Sequence, residues 1–259
     1  MLYALSDIHG SLNELYRVMA HVELTGDGRL VLLGDYIDYG ERSGQVLRFI
    51  YELQHEHGAD HVIALKGDHE YAFVSWLNGD SPDWFADDRD SGFITLKTLL
   101  SEYQTETISK LAGKDMEKAS GEARIMLDYE NRRLMDWLKA LPLFFETEDL
   151  IFAHAGIDEE AEDEWKWGTL DETFVSKYPP SRGSFLKTIV AGHNATSGEF
   201  LHADPENHGV FYDGASHFYI DGSVYREGGC LNLLMFHENA KRFYCLDASG
   251  NISEIKIFS

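Results

Sequence analysis

Aspartate and histidine residues stand at five points of the sequence where a short apolar run ends. They are Asp7 and His9, Asp35 and Asp38, Asp68 and His69, His154, and His193. Taken singly, an aspartate after a strand is more often a helix cap or a turn former. Together, carboxylates and imidazoles are ligands for borderline divalent metals, and two such ions can activate water and stabilise displacement at phosphorus. If the five points meet in the fold, they predict a phosphoester-hydrolysing metal site.

The elements that must position these residues are predicted to be parallel strands joined by helices. Apolar runs at 3–5, 30–33 and 62–65 each lead into a polar turn and then into an amphipathic helical segment. The first helix is expected to begin with a capping box formed by Ser11 and Glu14. Open α/β sheets place their ligands at the carboxyl ends of parallel strands, where the first three of these residue pairs fall.

The remaining chain predicts a helical insert and a strand-rich end. Residues 78–141 are polar and helical in pattern, whereas strand patterns return at 150–153 and 188–191, each followed by a histidine. From residue 217 onward, short strands alternate with tight turns, and this meander predicts a second sheet packed on the first. We expect a single domain over residues 1–259, because no linker or internal repeat divides the chain.

The charge balance argues against two classes of partner. The 259 residues include 45 acidic and 22 basic side chains, a formal net charge of −23 at pH 7. Nucleic-acid backbones and anionic membranes are bound through basic faces, so we expect neither as a partner. The sequence has no signal-peptide pattern and no apolar run long enough to cross a bilayer, which predicts a cytoplasmic location.

The ordered motifs resemble those of a known family. The runs SDIHG, GDYIDYG, GDHE, HAG and GHN, between Ser6 and Asn194, are similar to the signature of the phosphoprotein phosphatase (PPP) type of calcineurin-like metallophosphoesterases. The segment WFADDRDSGFITLKTLLSEY also resembles the helical region of bacterial members. The resemblance implies an α/β fold, a four-layer αββα sandwich of two mixed β-sheets with a helical insert.

The resemblance also implies a role for each motif residue. The metal ligands would be Asp7 and His9 for the first ion, Asp35 as the bridge, and Asp68, His154 and His193 for the second ion. Asp38 would orient and charge His69, which would protonate the leaving oxygen while water attacks phosphorus. The expected cofactors are two divalent ions, manganese first, and the same donors also accommodate iron or zinc.

Two positions depart from the family pattern. Asp68 stands where the family has asparagine, and the added carboxylate is expected to hold metal more tightly while weakening its Lewis acidity. Tyr39 stands where the family has an arginine that clamps phosphate, and no arginine follows the tryptophans of WKWGTLDETF. The residues that could bind substrate in their place are Tyr39, Arg42, Lys66, Arg182 and Asn194.

Three further features are predicted to be structural or solvated. His217 precedes the segment FYIDGS, in which Asp221 resembles a shortened form of a family DTG turn. The acidic run at 159–164 is expected to be a solvated loop.

Three functions are compatible with these patterns. The first is a serine/threonine protein phosphatase-like phosphomonoesterase, which would act on phosphoproteins or small phosphoesters. The second is a hydrolase of dinucleoside polyphosphates, such as diadenosine tetraphosphate, or of short polyphosphates. It would need exposed aromatic rings near the metals, and the insert offers Trp84, Phe85, Phe93 and Tyr103 as candidates. The third is a catalytically weakened, metal-binding sensor of a phosphorylated ligand, although retention of both Asp38 and His69 argues against it.

Overall fold

A computed structural model describes residues 1–86, 92–247 and 249–257 of the chain. The acidic loop and helical region predicted around residue 85 therefore lie partly outside the described residues, at 87–91. The strands of the described residues are β1 (Leu2–Leu5), β2 (Arg29–Leu32), β3 (Val62–Ala64), β4 (Phe144–Glu146), β5 (Leu150–Ala153), β6 (Thr188–Ala191), β7 (Phe211–Tyr212), β8 (His217–Tyr219), β9 (Leu233–His237), β10 (Arg242–Leu246) and β11 (Ile252–Ile255).

Helices fill most of the intervening segments. They are α1 (Leu12–Met19), α2 (Ser43–His57), α3 (Asp68–Asn78), α4 (Asp83–Ala86), α5 (Gly92–Leu99), α6 (Glu102–Ala112), α7 (Met116–Glu130), α8 (Arg132–Ala140), α9 (Trp165–Gly168) and α10 (Asp171–Ser176), with a 3-10 helix at Glu159–Glu164. No helix in the described ranges has the length and apolar composition needed to span a bilayer.

The first sheet has the strand order β11-β10-β9-β1-β2-β3. Its strands β1, β2 and β3 are parallel, which confirms the prediction for the first half of the chain. The predicted assignment of the C-terminal meander to a second sheet is wrong for β9, β10 and β11. These strands extend the first sheet, because the apolar β9 pairs antiparallel with the free edge of β1, Leu2 opposite Phe236. Four successive buried residues in β9 suit such a central position.

The second sheet has the order β4-β5-β6-β8-β7. Its strands β5, β6 and β8 are parallel, whereas β4 and β7 pair antiparallel at the two edges. Both sheets are thus mixed, as the resemblance implied. The edge strands β4 and β7 were not predicted, since they contain only three and two residues and too few side chains to show an alternating pattern.

The core is layered around the two sheets. Along β1 the side chains alternate: Leu2 and Ala4 pack between the sheets, whereas Tyr3 and Leu5 pack against the helices. On the outer face of the second sheet, Ile151 packs with side chains of α9 and α10. The layers are therefore helix, sheet, sheet and helix, in agreement with the predicted four-layer sandwich.

The helices α4 to α8 lie in the segment for which the sequence predicts helices. Trp84 and Phe85 are buried core residues, and Phe93 packs partly buried against the same core. Tyr103 is exposed on α6. Three of the four insert aromatics are thus packing residues.

The start of α1 differs from its prediction. The helix begins after Ser11, but the Ser11 side chain forms no capping hydrogen bond. Glu14 instead accepts a hydrogen bond from Arg17 at 2.8 Å. Another partner on the same helix face has therefore displaced the capping box.

Candidate metal centre

The loops that follow the strands present their polar residues in an unusual backbone conformation. Positive φ angles occur at Asp7 (55°), His9 (43°), Asp35 (57°), Asp38 (69°) and His193 (60°). The left-handed region costs non-glycine residues on the order of 1 kcal/mol each, and it concentrates at functional sites. Two backbone hydrogen bonds stabilise these turns, from Asp7 N–H to Gly34 O at 3.1 Å and from His9 N–H to Asp35 O at 2.9 Å.

Glycines allow these loops to approach one another closely. A Cβ atom on Gly67 would lie 2.1 Å from Asp35 Oδ1, and one on Gly192 would lie 2.2 Å from Asp7 Oδ2. Both distances are far below van der Waals contact. Any side chain at these positions would push the carboxylates out of place.

One cluster of donors spans the two sheets. It contains Asp35 after β2, Asp68 at the start of α3, His154 after β5 and His193 after β6, and its ligand atoms lie within 4.8 Å of one another. His154 Nε2 lies 3.4 Å from Asp35 Oδ2 and 3.1 Å from Asp68 Oδ1, and His193 Nδ1 lies 3.2 Å from Asp68 Oδ1. Two carboxylates and two imidazoles form a donor set suited to a borderline divalent metal.

Backbone carbonyls orient the histidine rings. His154 Nδ1 donates to Leu33 O at 3.0 Å, so its Nε2 faces the carboxylates. Burial opposes a positive charge on His154, but Asp35, Asp68 and Asp7 together outweigh burial and raise the pKa of His154. The pKa of Asp68 is lowered, because hydrogen bonds from His154 and His193 outweigh the cost of its burial.

A second cluster shares Asp35 with the first. It consists of His9, Asp35 and His69, again with ligand atoms within 4.8 Å of one another. His9 Nε2 lies 3.5 Å from Asp35 Oδ2, and His9 Nδ1 donates to Ile37 O at 2.8 Å. Asp35 therefore stands between two donor groups, which is the position that a bridging carboxylate requires.

Asp7 lies beside these clusters rather than within either of them. Its carboxylate is buried and accepts hydrogen bonds from the His193 backbone N–H at 3.1 and 3.2 Å. Burial and the neighbouring Asp221 raise the pKa of Asp7. Its assignment as a ligand of the first metal stays a prediction.

His69 and Asp38 form a close pair at the edge of the clusters. His69 Nδ1 donates to Asp38 Oδ2 at 2.8 Å, and His69 Nε2 lies 4.0 Å from Asp35 Oδ2. Burial disfavours the imidazolium, but Asp35 and Asp38 outweigh burial and raise the pKa of His69 to about 10. The pair has the arrangement of a proton donor held by a carboxylate.

Glu70 is a site residue that the sequence reasoning overlooked. Its fully buried carboxylate accepts hydrogen bonds from the backbone N–H groups of Asp35 (2.7 Å), Tyr36 (2.8 Å) and Gly67 (3.0 Å). It thereby fixes the loop that carries Asp35 to the start of α3. The signal was present, since Glu70 is the last residue of GDHE and stands at the third position of that helix.

Asp221 was predicted to form a structural turn, and its Oδ1 does accept the Ser223 N–H at 2.7 Å. It is nevertheless buried beside the donor clusters, where burial raises its pKa and Asp7 and Asp221 repel each other. Nothing in the local sequence indicates this proximity.

The structure places the predicted substrate-binding residues in different surroundings. Tyr39 lies at the site, with its ring 4.8 Å from that of His9 and 5.2 Å from that of His69. The other four make polar contacts with residues outside both donor clusters, and Arg182 donates to Leu201 O at 3.0 Å. Arg42 donates to Asn13 at 3.0 Å, Lys66 donates to Lys139 O at 3.3 Å, and Asn194, next to His193, donates to Lys177 O at 3.1 Å.

The prediction of a solvated loop at 159–164 is wrong for Glu159. Its carboxylate is half-buried, pairs with Lys177, and lies 3.3 Å from His217 Nε2. The hydrogen bonds from His217 and Lys177 outweigh the effect of burial and lower the pKa of Glu159 to about 2. His217, predicted to be structural, is buried and also contacts Asp213 at 3.0 Å.

Comparison with known proteins identifies relatives of this chain. The family model described as calcineurin-like phosphoesterase matches residues 2–217. A curated relative from Vibrio cholerae, bis(5'-nucleosyl)-tetraphosphatase, symmetrical, is 23% identical over 157 residues, which are 60% of this chain and 44% of that protein. The chain thus spans less than half the length of the curated relatives it matches.

Solved structures share the fold at low sequence identity. The cold-active protein-tyrosine phosphatase of a psychrophilic Shewanella species aligns with a TM-score of 0.58 at 18% identity, covering 98% of this chain and 80% of that chain. A protein serine/threonine phosphatase from Saccharomyces cerevisiae aligns with a TM-score of 0.52 at 13% identity, covering 100% of this chain and 79% of that chain. With the family model matched over residues 2–217, this chain belongs to the calcineurin-like phosphoesterases.

Proposed function

We propose that this protein is a two-metal phosphomonoesterase that acts on phosphoserine- or phosphothreonine-like esters. The observation that carries the proposal is the His69–Asp38 pair, 2.8 Å apart, with His69 Nε2 directed towards the donor cluster around Asp35. A site that only binds phosphate needs no proton donor. The pair therefore favours hydrolysis over the sensor alternative.

The residues present fit the metals that the family uses. Apart from His69, whose free nitrogen is needed for a proton, the carboxylate and imidazole donors of the two clusters would hold the ions, with Asp35 common to both and Asp7 close by. Manganese is the ion we expect, and iron and zinc suit the same donors. When bound, two such ions activate water and stabilise charge on the phosphoryl oxygens.

The chain's own residues supply the proton and its control. His69 holds a proton at Nε2 and delivers it to the leaving oxygen, while Asp38 fixes the ring through Nδ1. Thr95 and Trp84 donate to Asp38 at 2.6 and 3.0 Å, so this carboxylate cannot turn away. The imidazole is thereby held in a single orientation.

Hydrolysis of dinucleoside polyphosphates is the second candidate. It is supported by the similarity over 157 residues to the Vibrio cholerae tetraphosphatase. The burial of Trp84 and Phe85 weakens it, because these insert aromatics are unavailable for stacking on a base. Exposed aromatic surface near the donors would have to come from other loops.

The test is phosphate release by manganese-loaded protein from four substrates: p-nitrophenyl phosphate, a phosphothreonine peptide, diadenosine tetraphosphate and tripolyphosphate. We expect the two monoesters to be hydrolysed fastest, and Asp35→Asn to abolish their turnover. Arg132→Gln, an exposed change on α8, is the matched control and should leave the rates unaltered. Preference for diadenosine tetraphosphate would establish the second candidate, and silence on all four substrates would favour the sensor.

A further inference from the structure

The arginine and lysine side chains considered so far as phosphate-binding groups make their polar contacts away from the donor clusters. Tyr39 occupies the position at which the resemblance expects an arginine. Arg42 and Lys66 make the contacts described above, and Arg182 donates to Leu201 O at 3.0 Å and lies over the Phe211 ring. The donor clusters and their surroundings are rich in carboxylates, which offset much of the charge of the two ions that the proposed function requires, so any guanidinium that contacts the substrate must come from elsewhere.

Arg226 lies next to the site on a tight turn. Its N–H donates to Ser223 O at 2.8 Å, and its carbonyl accepts the Gly229 N–H at 3.0 Å, which fixes the backbone of the turn. The side chain is exposed, and Arg226 Cζ lies 5.4 Å from the centre of the Tyr225 ring. Within the described ranges, this guanidinium forms no ion pair with a carboxylate.

Stacked rings connect this arginine to the donor clusters. The rings of Tyr225 and Tyr39 stack at 4.3 Å with an angle of 12° between their planes. Tyr225 also meets the edge of His9 at 5.0 Å. Arg226 is thus separated from a candidate metal ligand by a single aromatic ring.

We infer that Arg226 binds phosphate oxygens of the substrate. Its guanidinium takes over the role of the family arginine, whose position Tyr39 occupies in this chain. The inference rests on the proposed function, since it names the residue that recognises the phosphate. Arg226 also donates a hydrogen bond to the Tyr225 hydroxyl, and together with the ring contact this orients the guanidinium while its remaining N–H groups can reach a phosphate. Tyr39 contributes by stacking on the Tyr225 ring.

The test measures binding rather than turnover. Orthophosphate and tripolyphosphate are titrated calorimetrically into manganese-loaded protein whose metal content has been verified. Arg226→Gln should raise the Kd about tenfold, and Arg226→Lys should raise it less because the charge remains. The control Arg132→Gln should bind with unchanged affinity. Equal Kd values for Arg226→Gln and the unaltered protein with both ligands would overturn the inference.

Comparing the two ligands shows which phosphate group of the substrate Arg226 binds. If Arg226→Gln loses affinity for both orthophosphate and tripolyphosphate, Arg226 binds the phosphoryl group that is transferred. A loss for tripolyphosphate alone would place it on a neighbouring phosphate. Either result supports the inference, and absence of binding by the unaltered protein contradicts it.

A double variant tests the exchange between the two positions. Tyr39→Arg combined with Arg226→Gln should recover most of the lost phosphate affinity, because the guanidinium returns to the position that family members use. Binding no better than that of Arg226→Gln alone would overturn this part of the inference. Failure of the proposed function is recognised separately. Phosphate binding that depends on Arg226 without turnover would refute hydrolysis only, and turnover combined with unchanged Kd values of Arg226→Gln for both ligands would refute only the inference.

Discussion

Asp38 is fully buried, and its carboxylate accepts hydrogen bonds from three side chains. The donors are His69, Thr95 and Trp84. A buried carboxylate is stable only when it is paired, and this one also determines which nitrogen of His69 faces the candidate metal centre. The proposed proton transfer therefore depends on Asp38, which keeps Nδ1 of His69 occupied and leaves Nε2 to hold the proton.

His69→Gln should distinguish poor leaving groups from good ones. Loss of the proton donor should reduce kcat/KM for alkyl phosphates by about 100-fold or more, but should barely affect p-nitrophenyl phosphate, whose leaving group needs no proton. Steady-state rates over a series of leaving groups measure the difference. His55→Gln, an exposed histidine change on α2, is the control. Equal losses with both substrates would contradict the role of His69.

Asp68→Asn should weaken metal binding and increase activity. Asp68 lies between His154 and His193, where an amide oxygen can replace the carboxylate but carries no charge. We expect the affinity for manganese to fall about tenfold and kcat at saturating metal to rise, since fewer anions oppose the substrate. Chelator competition and steady-state kinetics measure both quantities, with Asp128→Asn on α7 as the control. A variant that binds manganese more tightly would contradict this account of Asp68.

At the scale of elements, the loops after the strands act as a rigid frame. Gly67 and Gly192 bring the ends of neighbouring elements into contact, and Glu70 fixes the Asp35 loop to α3. On the far side, the 3-10 helix that begins at Glu159 is connected through Lys177 to Asn194. Short loop segments without regular periodicity thus hold the side chains of the site in position.

Glu159→Gln should destabilise the protein in a pH-dependent manner. The pKa of Glu159 is about 2 in the folded protein, below the roughly 4.3 of an unfolded chain. Its stabilising contribution is therefore complete above about pH 4.3 and is lost as the pH falls towards 2. We expect the variant's free energy of unfolding to be about 1 kcal/mol lower at pH 7, with a smaller gap at pH 3.

Urea titrations at the two pH values measure this gap. Glu160→Gln, an exposed neighbour on the same 3-10 helix, should show no such gap. If the loss in free energy of unfolding caused by Glu159→Gln is larger at pH 3 than at pH 7, the assigned direction of the pKa shift is contradicted.

At the scale of the whole molecule, the candidate metal centre joins the two sheets. Asp35 and Asp68 follow strands of the first sheet, and His154 and His193 follow strands of the second. A metal bound by all four would connect the two halves of the sandwich. Metal binding should therefore stabilise the entire fold.

Removal and return of manganese should shift the melting temperature. At a metal concentration about 100 times the Kd, binding adds about 2.7 kcal/mol, which corresponds to roughly 5–10 °C for a chain of this size. Thermal unfolding of chelator-treated and manganese-loaded protein measures the shift. Asp35→Asn should lose most of it, whereas an undiminished shift in that variant would place the stabilising ion elsewhere.

Residue types and their short spacings were enough to predict the kind of site and the local order of the elements. The placement of Asp7, Asp35 and Asp68 at the ends of apolar runs is a local pattern, and local patterns follow from residue types at short spacing. The parallel β1–β3 unit and the helical region before β4 were predictable for this reason, as was the convergence of Asp35, Asp68, His154 and His193, whereas the second cluster contains His69 in place of the predicted Asp7. Family membership followed from the same ordered motifs.

Which strands share a sheet and which distant side chains meet became evident from the tertiary structure. The pairing of β9 with β1 depends on an edge left free by other strands, which no local spacing records. The stack of Tyr39, Tyr225 and Arg226 and the ion pair of Glu159 with Lys177 join residues from separate loops. Such contacts depend on long-range packing, because the residues that form them show no pattern in their own neighbourhoods.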